Sequence, residues 1–261
     1  MKIFVIGDLY GNLGMLESMG AKVAEEDPGL IVFTGDIVAP GARFREWIAA
    51  EQENRAPRRD LPEIREQEHE DVRSYHAFFR AIDDLGRFCY VIPGGMDAPL
   101  DVYLQIATNR DVVSANAFVV HHRITSKFRY AHTRGFAACG FGGILTEKVT
   151  ETFFVQMYSR PHALYAVQGF VDYPDPKVLL IHTPPRLMTP KGCEVVDEMI
   201  DTLRPSHAFC SPADGEQGDR MVGTTLVVCP GEMRHGHYAT VDTMTNEVKY
   251  RKLEVGAAYP A

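Results

Sequence analysis

Lys2-Ile3-Phe4-Val5-Ile6-Gly7-Asp8-Leu9-Tyr10-Gly11-Asn12 is an apolar run that empties into a glycine and an aspartate. Successive apolar residues without polar alternation fit a strand covered on both faces. Leu13, Leu16, Met19 and Val23 follow at helical spacing and complete a β-α unit. In open α/β sheets, ligands bind at the carboxyl ends of the strands, which is where Asp8 would stand. Leu30-Ile31-Val32-Phe33-Thr34-Gly35-Asp36 repeats the pattern. Strand-end carboxylates are ordinary ligands of hard cations, so Asp8 and Asp36 together point to a metal or phosphate site. The bland alternative is that each caps the helix after it.

Two more strands end in the same way. Phe88 to Ile92 runs into Pro93-Gly94-Gly95-Met96-Asp97, and Lys177 to Ile181 into His182-Thr183-Pro184-Pro185. Residues 43–73 differ, with dense mixed charge broken by Pro57 and Pro62. They are expected to form solvated helical excursions, an exposed insertion that could also serve as a protein-partner surface. His69 and His76 are expected on its surface. Tyr75, Phe78, Phe79, Ile82 and Leu85 predict a helix over 71–85. Residues 112–155 are expected to be β-rich, with strands at 112–113, 117–122 and 136–143. His121 and His122, as strand neighbours, would face opposite sides and be structural. A helix is expected over 151–170, a connector at 173–176, a helix over 192–204 and a strand at 206–210. Antiparallel strands would close the chain at 224–229, 238–242 and 247–253, with His235 and His237 in a solvated hairpin turn.

The 261 residues carry a formal net charge of −8, which argues against nucleic acid or an anionic membrane as partner. No apolar run reaches membrane-spanning length, and strand residues begin where a leader would stand. The five cysteines show no C-x-x-C pairing, so reduced thiols in a cytoplasmic protein are expected.

Gly-Asp, Gly-Asp, Gly-x-x-Asp and His strand ends, with Val228-Cys229-Pro230-Gly231 near the chain's close, resemble the calcineurin-like metallophosphoesterases. The resemblance covers Ile3 to Leu253. It implies an α/β fold, a four-layer α-β-β-α sandwich of two mixed β-sheets in one domain over residues 1–261. It also implies a metal centre at the strand-end rim, where paired ions hold phosphate oxygens and activate water. Asp8 matches the family's first aspartate, but Tyr10 stands where the family has histidine. Asp36 matches the bridging aspartate. Gly95 replaces an asparagine ligand, Asp97 keeps the neighbouring acid, and His182 matches the strand-end histidine. Ser211-Pro212-Ala213-Asp214 aligns with the last motif, so Pro212 and Asp214 replace its two histidines.

The ligands that this leaves are Asp8, Asp36 and Asp214, with the Tyr10 phenol as a possible fourth. Such an oxygen set favours Mn, Mg or Ca over Zn, and one ion rather than two. His182 would contact the phosphate or a weak second ion, and Asp97 would orient a neighbouring group or a water. The expected activity is hydrolysis of a phosphomonoester or phosphodiester. Two alternatives stay open: a metal-free, catalytically silent scaffold binding a ligand or protein, and a phosphate-binding module on the glycine-rich loops 7–12 and 93–97.

Overall fold

The computed structural model describes residues 1–113, 116–125, 136–147, 150–173, 176–212 and 214–253. The first half alternates strand and helix: β1 Lys2–Ile6, α1 Gly14–Glu26, β2 Leu30–Phe33, α2 Ala42–Gln52, α3 Pro62–Asp84, β3 Cys89–Val91, α4 Leu100–Val113 and β4 Ala117–Val119. Then come β5 Ile124–Thr125, β6 Ala137–Phe141, β7 Ile144–Thr146, β8 Met157–Ser159, α5 Arg160–Val167, β9 Lys177–Ile181, α6 Glu194–Leu203 and β10 His207–Cys210. Four strands finish the described chain: β11 Gln217–Val222, β12 Thr225–Pro230, β13 His237–Asp242 and β14 Glu247–Lys252.

These strands build two mixed six-stranded sheets, ordered β14-β13-β1-β2-β3-β4 and β11-β12-β10-β9-β6-β5, with β7-β8 as a small pair. Strands β1 to β4 run parallel, as do β6, β9, β10 and β12, so each set delivers its carboxyl ends to one edge. Period-two alternation separates the layers. Ile3, Val5, Val32 and Ile92 meet Val178, Leu180, Phe209 and Val228 between the sheets. Phe4, Ile6, Phe33 and Val91 turn the other way, onto Leu16, Met19, Phe78 and Tyr103 of the helices. Leu179, Ile181 and Ala208 do the same beneath Val196 and Met199. The molecule is thus the expected four-layer sandwich, and both faces of the central strands are apolar because both are covered.

Several local expectations are corrected. The helix expected over 151–170 forms only from residue 160, after β8. Val112 and Val113 end α4 rather than forming a strand; two β-branched residues are too short a signal to oppose the helix before them. The charged region is helical, but three of its charges are buried. Arg43 pairs with Asp71, and Glu46 takes Arg55 and Arg58, with Arg43 only 1% exposed. Opposite charges here satisfy one another, which composition does not reveal. His69 and His76 are exposed as expected. His121 and His122 do not face apart: their rings stack 3.8 Å apart, because the left-handed backbone of His122 (φ 54°) breaks the strand alternation. Strand β12 does not form a hairpin with β13. It lies in the second sheet beside β10 and β11, and Pro230-Gly231 leads the chain from one sheet to the other. Residues 174, 175 and 213, part of the expected connector and last motif, lie outside the described residues.

Candidate metal centre

Three loops meet at the carboxyl edge of the first sheet, and their backbone groups satisfy one another. The amides of Asp8, Leu9, Tyr10 and Gly11 donate to the carbonyls of Gly35, Asp36, Asp36 and Ile37, at 2.8–3.1 Å. The amides of Asp36, Ile37 and Val38 donate to the Asp97 carboxylate at 2.9, 2.8 and 3.2 Å, and Gly94 adds another at 2.7 Å. The sheet-to-sheet crossing closes the ring, with Met233 and Arg234 amides on the Gly7 and Asp8 carbonyls. Gly94 is required here, because a Cβ on it would stand 2.1 Å from Asp36 Oδ1. Asp8, Tyr10 and Asp36 all hold left-handed backbone, with φ of 56°, 46° and 59°. Such conformations cost about 1–3 kcal/mol each, and this amide network is what over-determines them.

Among the described residues, Asp8, Asp36 and His182 form a buried group whose ligand atoms lie within 4.8 Å of one another. The aspartates come from the first sheet and the histidine from the end of β9 in the second. Each is oriented from behind. Ser211 Oγ, itself 2.9 Å from Thr34 Oγ1, donates to Asp8 Oδ1 at 2.8 Å. The Met96 amide donates to Asp36 Oδ1 at 2.7 Å. His182 Nδ1 donates to the Thr34 carbonyl at 2.9 Å, which leaves Nε2 with its lone pair 3.5 Å from Asp36 Oδ2.

The electrostatics match this crowding. Burial first, then the charge of Asp36, pushes the Asp8 carboxyl well above its usual range, against the pull of Ser211. Burial and the Asp36 and Asp8 charges also push the Tyr10 phenol up, so it stays protonated. Asp97 is pushed up to about 8 by burial and Asp36, while the Gly94, Val38 and Ile37 amides favour its charged form. Two buried carboxylates in repulsion beside an imidazole nitrogen aimed at them form a donor set that fits a divalent cation.

The other expected site residues are not part of that group. Asp97 is fully buried with its carboxylate taken up by the loop amides. Asp214 is exposed and ion-paired with Lys191, outside the Asp8–Asp36–His182 group. Tyr10 lies against the group and beneath Arg234, whose guanidinium sits 4.8 Å from its ring centroid. A Cβ at Gly95 would stand 2.7 Å from the Ile144 side chain and 3.9 Å from His182 Nε2. Ile144 therefore fills the space that a side chain at 95 would use. Glu232 and Arg234 were not expected at the rim. Glu232 bonds Arg234 Nε at 2.6 Å and its charge acts on both Asp8 and Tyr10. Their only sequence signal is that they follow the Pro230-Gly231 crossing.

The sequence matches the family described as metallophosphoesterase, calcineurin superfamily, over residues 1–253. No curated protein matches it significantly. One crystal structure, 30% identical, superposes with a TM-score of 0.87 and covers 97% of this chain and 99% of its own. The protein TT1561 of Thermus thermophilus is 22% identical, with a TM-score of 0.78 and the same coverages. A novel archaeal phosphodiesterase shares the fold at 11% identity and a TM-score of 0.51, over 97% of this chain and 100% of its own. The chain belongs to the metallophosphoesterase family of the calcineurin superfamily.

Proposed function

We propose that this protein hydrolyses a phosphoric ester with one divalent ion held by Asp8, Asp36 and His182. The observation that carries this reading is the convergence of those three side chains from two sheets, with ligand atoms within 4.8 Å. When bound, a divalent ion supplies positive charge against the phosphoryl oxygens and makes a water acidic enough to attack. The chain's own residues do the rest. Ser211 holds one oxygen of Asp8, and the Met96 amide holds one oxygen of Asp36. Thr34 sets the His182 tautomer through its carbonyl. Asp97 acts as a positioning residue, since its oxygens fix the amides of the Asp36 loop. Arg234, stacked on Tyr10 and held by Glu232, would receive a phosphate oxygen at the rim.

The reading of one ion rather than two is supported by Ile144 in the space beside Gly95 and by the Lys191–Asp214 pair. The same two features favour the alternative of a silent scaffold, so turnover must decide. Manganese-loaded protein should hydrolyse a generic phosphodiester or phosphomonoester, and Asp36→Asn should abolish that activity. Failure to bind an ion at millimolar concentration, together with no turnover of either substrate, would sink the hydrolase reading.

A further inference from the structure

Behind the carboxylate site lies a second group of potential ligands, made entirely of sulfur. Strands β10 and β12 pair in parallel with Phe209 opposite Val228, so the next residues, Cys210 and Cys229, are cross-strand neighbours. Both point to the helix-covered face of the second sheet. The Cys210 thiol donates to the Val228 carbonyl at 3.8 Å and the Cys229 thiol to the Glu216 carbonyl at 3.3 Å. Met188, from the loop after His182, places its Sδ 3.9 Å from Cys210 Sγ. Met188 and Cys229 also line a cleft of about 320 Å³, beside Ser211 and Pro212, through which a small ion can reach them. All five cysteines of the chain are free thiols.

The spacing is informative. With metal–sulfur bonds of about 2.3 Å, a flat three-coordinate site separates its sulfurs by about 4.0 Å. The Met188–Cys210 distance of 3.9 Å matches that edge without movement. Two thiols and a thioether are soft donors that select monovalent copper over the hard divalent ions suited to Asp8 and Asp36. We infer that Met188, Cys210 and Cys229 form a binding site for one monovalent copper ion, separate from the carboxylate centre and reached through the adjoining cleft. Binding forms two copper–thiolate bonds and one copper–thioether bond. It breaks the two S–H bonds and releases both protons to solvent, with no change of oxidation state.

The test is anaerobic titration of the intact protein with Cu(I), in competition with the chromophoric chelator bicinchoninate. One equivalent should be retained by the wild-type chain, by Cys193→Ser and by Asp36→Asn. The Asp36→Asn variant separates this site from the proposed hydrolase: its copper binding survives whether or not the chain hydrolyses esters. Cys229→Ala should lose the ion. Met188→Leu, which keeps the apolar volume and so guards against misfolding, should weaken binding about tenfold. X-ray absorption of the wild-type complex should show three sulfur neighbours at about 2.3 Å. No retained copper, retention by the Cys210→Ala/Cys229→Ala double variant, or a first shell of nitrogen and oxygen would each overturn the assignment.

Discussion

At the residue scale, the centre is defined by what its neighbours leave free. Asp8 and Asp36 are forced together in left-handed backbone, so their repulsion is stored in the chain before any ion arrives. This has a pH consequence whose sign follows from linkage. The Asp8 carboxyl is raised above the unfolded value of about 3.9, so the folded chain binds a proton that the unfolded chain releases. Its contribution is fully present below the unfolded pKa and is lost as pH rises through the folded one. Asp97, pushed up to about 8, acts in the same direction. Metal-free protein should therefore melt at a higher temperature at pH 5 than at pH 8, and Asp8→Asn should flatten that slope in differential scanning calorimetry. Tyr10 permits a second test. Its backbone is left-handed, a region that histidine enters more readily than tyrosine. Tyr10→His should fold without penalty and bind manganese about tenfold more tightly, near 1.4 kcal/mol, by isothermal titration. Unchanged affinity would mean that position 10 does not face the ion.

At the scale of elements, the α2–α3 pair bears most on the site's surroundings. Trp47 stacks on Phe154 at 6.3 Å, and Arg59 lies 4.4 Å from the Phe153 ring centroid. The same segment places Gln156, whose side chain and amide hold the Asp97 and Gly95 carbonyls. A packed route thus runs from the charged helices to the loop bearing Asp97. Within it, Arg43 is buried against Asp71 with its Nε and Nη1 atoms unpartnered. A buried ion pair is replaceable as a unit but not by halves. Arg43→Ala should cost about 3–5 kcal/mol, whereas Arg43→Met with Asp71→Leu should be neutral or stabilising by about 1–4 kcal/mol. Urea denaturation of both variants checks the contrast. Equal losses would show that the pair contributes net stability.

For the whole molecule, the proposed ion joins two sheets. Asp8 and Asp36 belong to one and His182 to the other, so binding should be felt as global stability. At a free ion concentration 100-fold above Kd, mass action adds about 2.7 kcal/mol. A chain of this size moves about 2–4 °C per kcal/mol, so the expected rise in Tm is about 5–10 °C, reversed by a chelator. A shift retained in His182→Ala would place the ion on one sheet only. Among the described residues, no helix is long and apolar enough to cross a membrane.

The layered fold and the strand-end positions of Asp8, Asp36 and His182 were legible in the sequence. Apolar runs covered on both faces leave a strand little choice, and its end is where a polar residue must emerge. Sequence alone also marked Tyr10 and Gly95 as departures from the family pattern. Only tertiary structure decided which carboxylates meet. Asp97 and Asp214 look equivalent to Asp8 as strand-end acids, yet one turns inward to hold four amides and the other reaches out to Lys191. It likewise decided that His121 and His122 stack, that β12 joins the second sheet, and that Met188 brings its sulfur to that of Cys210. The physical reason is the same throughout. Local pattern fixes whether a residue is covered, but strand register, backbone handedness and inter-sheet crossings fix which distant groups it faces.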